Sequence, residues 1–328
     1  MRTAMANSTD PYTLPLAAID MSNPDLFQQN AMWGYFERLR KEAPVHFSAG
    51  SDYGSFWSVT RYRDIMEVDT NHKIYSSDHA RGGHILGYEM FFIESDDFQL
   101  PMFIAMDQPK HDAQRKAVSP AVGAENLQNL EATIRQSAAE ILDAVPLCET
   151  FNWVEHVSIE LTTQTLATLF DFPWADRRML TRWSDISVSV PGSGIVESWE
   201  SRRTELLDMA EYFARLRHAR RNNIGGFDLI SMLATSPDTR DMSAAELMGN
   251  VLLLIVGGND TTRNTLSGSV LALNQFSAQF DQLRKNPALI PSFVPEAIRW
   301  QTPLAHMKRT ALEDVKLGGS RSVRPTRL

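Results

Sequence analysis

The segment Gly257-Gly258-Asn259-Asp260-Thr261-Thr262 places two glycines, a carboxylate and two hydroxyls directly after the apolar run Leu252 to Val256. Glycine inside a helix costs roughly 0.5–1 kcal/mol relative to alanine, and a buried carboxylate costs more unless it is paired or kept near water. Residues that oppose stability in this way suit a different task. Missing side chains let a flat or bulky ligand reach the backbone, a distorted turn frees a carbonyl and admits water, and a threonine hydroxyl beside an acid makes a proton path. The competing reading is a glycine pair for helix packing, with Asp260 capping a break. The segment alone leaves both open.

Two other groupings carry polar chemistry. In Asp107-Gln108-Pro109-Lys110-His111-Asp112-Ala113-Gln114-Arg115, an acid at the N-cap and an early proline predict a helix start, so His111 and Arg115 share one face at i, i+4. Two donors on one face suit a carboxylate or phosphate, and arginine binds such anions in a bidentate manner. A solvated basic face, flanked by Lys110 and Lys116, is the alternative. Glu296 and Arg299 stand at i, i+3 among Ile290, Phe293, Val294 and Trp300, which predicts a partly buried ion pair on an apolar helix.

The elements that position these groups are mostly helical. Ser243-Ala244-Ala245-Glu246 has the form of a capping box, and apolar spacing continues to Leu273, so one helix over 243–275, about 45 Å long, carries the glycine pair. Further helices are predicted near 109–120, 124–145, 152–171, 175–188, 198–222, 227–234, 277–286 and 287–300. Before them, a helix over 30–42, a hairpin from Val45-His46-Phe47 and Ser55 to Val59, and a helix over 63–69 are expected; 81–99 has loop composition suited to a lid. Ala305 to Thr310 and Asp314 to Leu317 are strand-like. The fold class is mainly α with a small β region. One domain is expected, with a β-containing part over 1–106, a helical part over 107–303, the start of a β region over 304–319 and a distinct tail over 320–328.

A formal charge of -8 argues against a general nucleic-acid binder. The single Cys148 excludes an internal disulfide framework and a multi-cysteine metal site. Neither a signal peptide nor a membrane anchor is evident, so a cytoplasmic location is expected.

Taken in order with His306-Met307-Lys308-Arg309-Thr310-Ala311-Leu312-Glu313-Asp314, these groupings resemble the cytochrome P450 family from about Tyr12 to Gly319. The resemblance implies the P450 fold, incomplete at its C-terminus, and haem b as cofactor. His111, Arg115 and Arg309 would grip the haem propionates, and Gly257 and Gly258 would lie over the haem. Asp260 would relay protons, Thr261 would hydrogen-bond the oxygen being activated, and Glu296 with Arg299 would buttress the core. Ile255 to Asn264 and Trp300 to Met307 are similar to the soluble bacterial members that hydroxylate the terminal carbon of medium-chain alkanes. These use O2 and electrons from NAD(P)H through a ferredoxin reductase and a ferredoxin. Phe103, Ile104, Leu304 and the segment Ile186 to Val196 are candidates for an apolar substrate channel, though such residues serve equally as core. Fatty acids, terpenes or sterols are alternative substrates.

The family's thiolate ligand to iron lies in a Phe-Gly-rich loop well after the E-x-x-R helix, and that loop is expected to be absent here. Cys148 lacks its glycine context, so no haem-ligating cysteine is assigned. Ser320 to Leu328 does not continue the family's strand. A one-base deletion in suitable codons for the expected continuation yields this tail followed by a stop, so a frameshift is expected. An exposed strand edge, an unfilled core and poor solubility should follow, and the alternative function is a non-catalytic remnant or weak haem-binding module.

Overall fold

The computed structural model describes residues 10–86, 100–318 and 321–323. The chain divides into two compact units, one of residues 1–99, 104–108 and 306–328, the other of 100–103 and 109–305. The architecture is mainly α with few strands, as the sequence implies.

The first unit holds helices α1 (Pro24–Gln28), α2 (Met32–Glu42) and α3 (Tyr62–Thr70), with strands β1 (Val45–Ser51), β2 (Gly54–Val59), β3 (Tyr75–Ser76), β4 (Thr310–Ala311), β5 (Val315–Leu317) and β6 (Arg321–Val323). β1 and β2 form the expected antiparallel hairpin, with Val45 opposite Val59 and Phe47 opposite Trp57. Short β3 pairs with β4, so Tyr75 and Ala311 join Val45, Val68 and Leu317 in a buried apolar cluster. Ile19, Met21, Tyr35 and Leu39 form a second. Only Thr310 of the strand expected over 305–310 enters a sheet.

The tail departs from expectation. Arg321–Val323 pairs antiparallel with Val315–Leu317, so the edge expected to stay open on β5 has a partner. Backbone pairing asks only for N–H and C=O groups in register, not for the family's side chains. The turn begins at Gly318, whose φ of +67° suits glycine and where a Cβ would meet Val45 Cγ2 at 2.7 Å.

The second unit is helical: α4 (Lys110–Val118), α5 (Ala124–Asp143), α6 (Ile159–Phe170), α7 (Arg178–Val188), α8 (Trp199–Ala219), α9 (Leu229–Thr235), α10 (Ala244–Gln275), α11 (Ser277–Lys285) and α12 (Ile290–Gln301). α10 packs against α6, α7, α8 and α12. Its start is the capping box read from the sequence: Glu246 N donates to Ser243 Oγ at 3.2 Å and Ser243 N to Glu246 Oε2 at 3.1 Å. α10 is continuous through the glycine pair, and the irregular turn is instead a π-turn at Val154–Ser158, before α6. Asp107 does not cap α4, whose N-cap is Pro109; its carboxylate accepts from Ser76 Oγ at 2.5 Å and Ser77 N at 3.0 Å. Most of the lid-like loop, 87–99, lies outside the described residues. Among the described residues no helix is long and apolar enough to cross a membrane.

Candidate functional site

The two glycines of α10 have different surroundings. A Cβ at Gly257 would meet nothing within 4 Å, so the helix there borders open space. A Cβ at Gly258 would lie 2.6 Å from Leu166 Cδ2, which makes this glycine a packing contact with α6. One turn on, Thr261 Oγ1 donates to Gly257 O at 2.7 Å. This back-bond uses the hydroxyl hydrogen and leaves the threonine oxygen able to accept. Asn259 is fully buried; its Oδ1 accepts from Thr162 Oγ1 at 3.2 Å.

Asp260 is held in a triad that the sequence did not reveal. Arg263 gives Nη2 to Asp260 at 2.6 Å and Nη1 to Asp185 of α7 at 3.0 Å. One guanidinium thus serves two carboxylates. Burial raises the Asp260 pKa above the usual carboxylate value; Arg263 opposes the rise and Asp185 adds to it. A half-buried acid with a raised proton affinity beside an open helix face can hold and release a proton there.

α4 brings His111 and Arg115 together on one face, as the spacing predicts. Arg115 is exposed and makes no ion pair among the described residues. Lys110, which could have completed a solvated basic face, is bound to Glu246 of α10. His111 Nδ1 lies 2.7 Å from the carbonyl of Phe103, whose N–H donates to Asn250 Oδ1 at 2.8 Å. Asn250 Nδ2 in turn donates to Gln114 Oε1 at 2.7 Å. Asn250 and Gln114 are buried polar residues that the sequence reading passed over.

In the first unit Arg309 belongs to a crowded cationic patch. It pairs with Asp69 at 2.5 Å and donates to Lys308 O at 2.8 Å. Lys308 N donates to His84 O at 2.6 Å, and His306 Nε2 accepts from Leu86 N at 3.2 Å. Burial, followed by the charges of Arg309, Lys308 and His306, lowers the His84 pKa to about 4. His306 is lowered in turn, by burial and then Lys308. Basic groups that suppress one another's protonation favour a bound anion.

Other expectations fare differently. Glu296 and Arg299 pair twice, at 2.6 and 2.7 Å, but both side chains are more than half exposed, so the expected partial burial is not found. The reason lies in α12 itself: Ile290, Val294 and Ile298 are exposed alongside the pair, and only Ala297 is buried. Phe103 is half-buried with its ring in a T-shaped contact with that of His111, 6.2 Å between centroids, and Ile104 is also half-buried. Leu304 is exposed. In the segment Ile186 to Val196, Ile186 is core whereas Val188, Val190 and Ile195 are exposed. A groove of about 560 Å³ runs along α5, lined by residues such as Leu127, Glu131 and Ile134 rather than by these candidates. Cys148 is free and exposed.

The helical unit therefore offers an open helix face with a hydroxyl acceptor and a tunable acid, together with a cationic helix face, which suits a large anionic cofactor and proton-coupled chemistry. Comparison with known proteins identifies the class. The chain is 33% identical over 304 residues to linalool 8-monooxygenase of Pseudomonas putida, covering 92% of this chain and 75% of that protein. It is 26% identical over 340 residues to the methyl-branched lipid omega-hydroxylase of Mycobacterium tuberculosis, covering 98% and 77%. The solved structure of cytochrome P450-153 from Novosphingobium aromaticivorans superposes with a TM-score of 0.84 at 42% identity, covering 94% of this chain and 76% of that one. No protein-family model matches. The chain belongs to the cytochrome P450 family, oxidoreductases of the monooxygenase class.

Proposed function

We propose that this chain carries the oxygen-handling and carboxylate-gripping part of a haem-dependent monooxygenase that hydroxylates the terminal carbon of medium-chain alkanes or similar aliphatic substrates. Electrons would come from NAD(P)H through a ferredoxin reductase and a ferredoxin. The observation that carries this reading is the open space at Gly257 beside Thr261 and Asp260. A flat macrocycle needs such a gap, and a residue with a side chain at Gly257 would fill it.

The residues of α4 and α10 suit the carboxylates and the flat face of haem, and no residue is assigned as its iron ligand. His111 and Arg115 on α4 would meet a propionate. In the other unit Arg309 is paired with Asp69, and a propionate role for it rests on the family resemblance alone. Haem, when bound, supplies the iron at which dioxygen is reduced and a C–H bond oxidised. This chain's residues then have defined tasks. Thr261 Oγ1, its hydrogen committed to Gly257 O, accepts a hydrogen bond at the open face. Asp260 holds a proton on its carboxylate more readily than an exposed aspartate does, and the Arg263 guanidinium bound to it, which lowers that affinity, favours its release. Gly258 keeps α10 seated on α6 through Leu166 and is assigned no cofactor contact.

Two of the similar proteins are named for oxidising a lipid at its omega position and for oxidising linalool. Both names fit an aliphatic chain oxidised away from a polar group. An alkane has no such group, so selection would rest on shape, at about 0.8 kcal/mol per buried CH₂.

A second reading, a non-catalytic haem-binding remnant, is favoured by the exposed apolar side chains of α12 and by the exposed Glu296–Arg299 pair. The reduced CO-difference spectrum of the purified chain with added haem separates the two. A thiolate-type band supports a competent monooxygenase, and bound haem without that band supports the remnant.

A further inference from the structure

The bonding around His111 fixes more than its position. A carbonyl oxygen can only accept, so the 2.7 Å contact of His111 Nδ1 with Phe103 O requires hydrogen on Nδ1. The neutral ring then presents a lone pair, not a hydrogen, at Nε2. Phe103 cannot easily turn its carbonyl away. Its N–H is held by Asn250 Oδ1, and Asn250, fully buried, is itself held by Gln114. The preceding residues are pinned as well, because a Cβ at Gly249 would stand only 2.2 Å from Pro101 O; α10 backbone and this segment are in direct contact.

We propose that the buried Asn250–Gln114 amide pair, acting through the Phe103 peptide, locks His111 in the Nδ1–H tautomer, so that His111 grips an anionic ligand only by taking up a proton. Asn250 and Gln114 are positioning residues in this scheme. The second half rests on the reading of His111 as a haem-carboxylate contact. The step balances simply: one proton from solvent adds to Nε2, the imidazolium donates from both nitrogens, and the site becomes a dication with Arg115 opposite the ligand's carboxylate. Among the described residues, the charged groups that the sequence sets next to His111 on α4 are Lys110, Asp112 and, one turn on, Arg115, and Lys110 is bound to Glu246 of α10. The segment 100–103 and α9 contribute no titratable side chain.

Long-range ¹H–¹⁵N spectra of the full chain labelled at histidine read the tautomer without any ligand. The neutral ring of His111 should be protonated at Nδ1, and Asn250→Ser, or Gln114→Leu if that variant does not fold, should shift it toward Nε2–H. An Nε2–H ring in the unaltered chain overturns the lock, whatever any ligand does. Zinc protoporphyrin IX then probes the anion. Calorimetry at alkaline pH, in buffers of different ionisation enthalpy, should show close to one proton taken up on binding, with affinity falling up to tenfold per pH unit. Protoporphyrin dimethyl ester, which lacks the carboxylates, and the His111→Gln variant should show no uptake. Tight binding of the free acid without uptake, yet weakened by His111→Gln, overturns the proton coupling. Binding indifferent to both His111→Gln and Arg115→Ala overturns the haem-carboxylate reading and the coupling with it, leaving the tautomer result to stand or fall by itself.

Discussion

Glycine-to-alanine substitution along α10 should give effects of opposite sign at two positions eight residues apart. At Gly249 an ideal Cβ would meet Pro101 O at 2.2 Å and Pro101 C at 2.8 Å, against the 3.4–4 Å of ordinary contact. Backbone must therefore move by about 1 Å or more, which breaks the 2.8 Å bond from Phe103 N to Asn250. Overpacking costs about 1–3 kcal/mol. A buried amide left without its partner costs roughly 1–3 kcal/mol more, while alanine returns about 1 kcal/mol of helix propensity. Gly249→Ala should thus destabilise by roughly 1–5 kcal/mol. At Gly257 nothing lies within 4 Å, so the propensity gain stands alone and Gly257→Ala should stabilise the ligand-free chain by about 0.8–1 kcal/mol. Urea unfolding followed by circular dichroism measures both. A neutral Gly249→Ala, or a Gly257→Ala less stable than the parent, would refute the distinction between a crowded and an open glycine.

Three further outcomes follow from the same geometry. Asp260 binds its proton more tightly in the folded chain than in the unfolded one, so stability attributable to it declines as pH rises from about 4, the unfolded aspartate value. Asp260→Asn should accordingly be more stable than the parent at pH 7, with the difference vanishing below that value; a variant less stable at pH 7 contradicts the raised proton affinity. Glu296→Ala and Arg299→Ala should leave the melting midpoint unchanged, because both side chains are solvated, and a clear drop would mean that the pair is buried in solution. Ile298→Glu should reduce binding of a hydrophobic dye without loss of helicity, since Ile298 is exposed with Val294 and Ile290 on α12, and unchanged dye binding would place the apolar surface elsewhere.

Much of this was legible in the residues. The capping box at Ser243 and Glu246, the length of α10, and the i, i+4 pairing of His111 with Arg115 all follow from local rules of helix formation, which act within one or two turns. Long-range partners were not legible. Asp185 meets Arg263 across 78 residues and Asn250 meets Gln114 across 136, and neither has a spacing that announces it. Asp107 misled because a carboxylate three residues before a helix looks like a cap until Ser76 and Ser77 claim it. The glycine pair looked like one feature and proved to be two, since only a neighbouring helix could distinguish an open face at Gly257 from contact with Leu166 at Gly258.

The central claim, that α4 and α10 seat haem, is tested most directly by titrating the full chain with haem and following the Soret absorbance, beside the Gly257→Phe and Arg115→Ala variants. Saturable binding that Gly257→Phe abolishes and Arg115→Ala weakens is the predicted result. Binding of equal strength in all three chains, or no saturable binding in the parent, would contradict it.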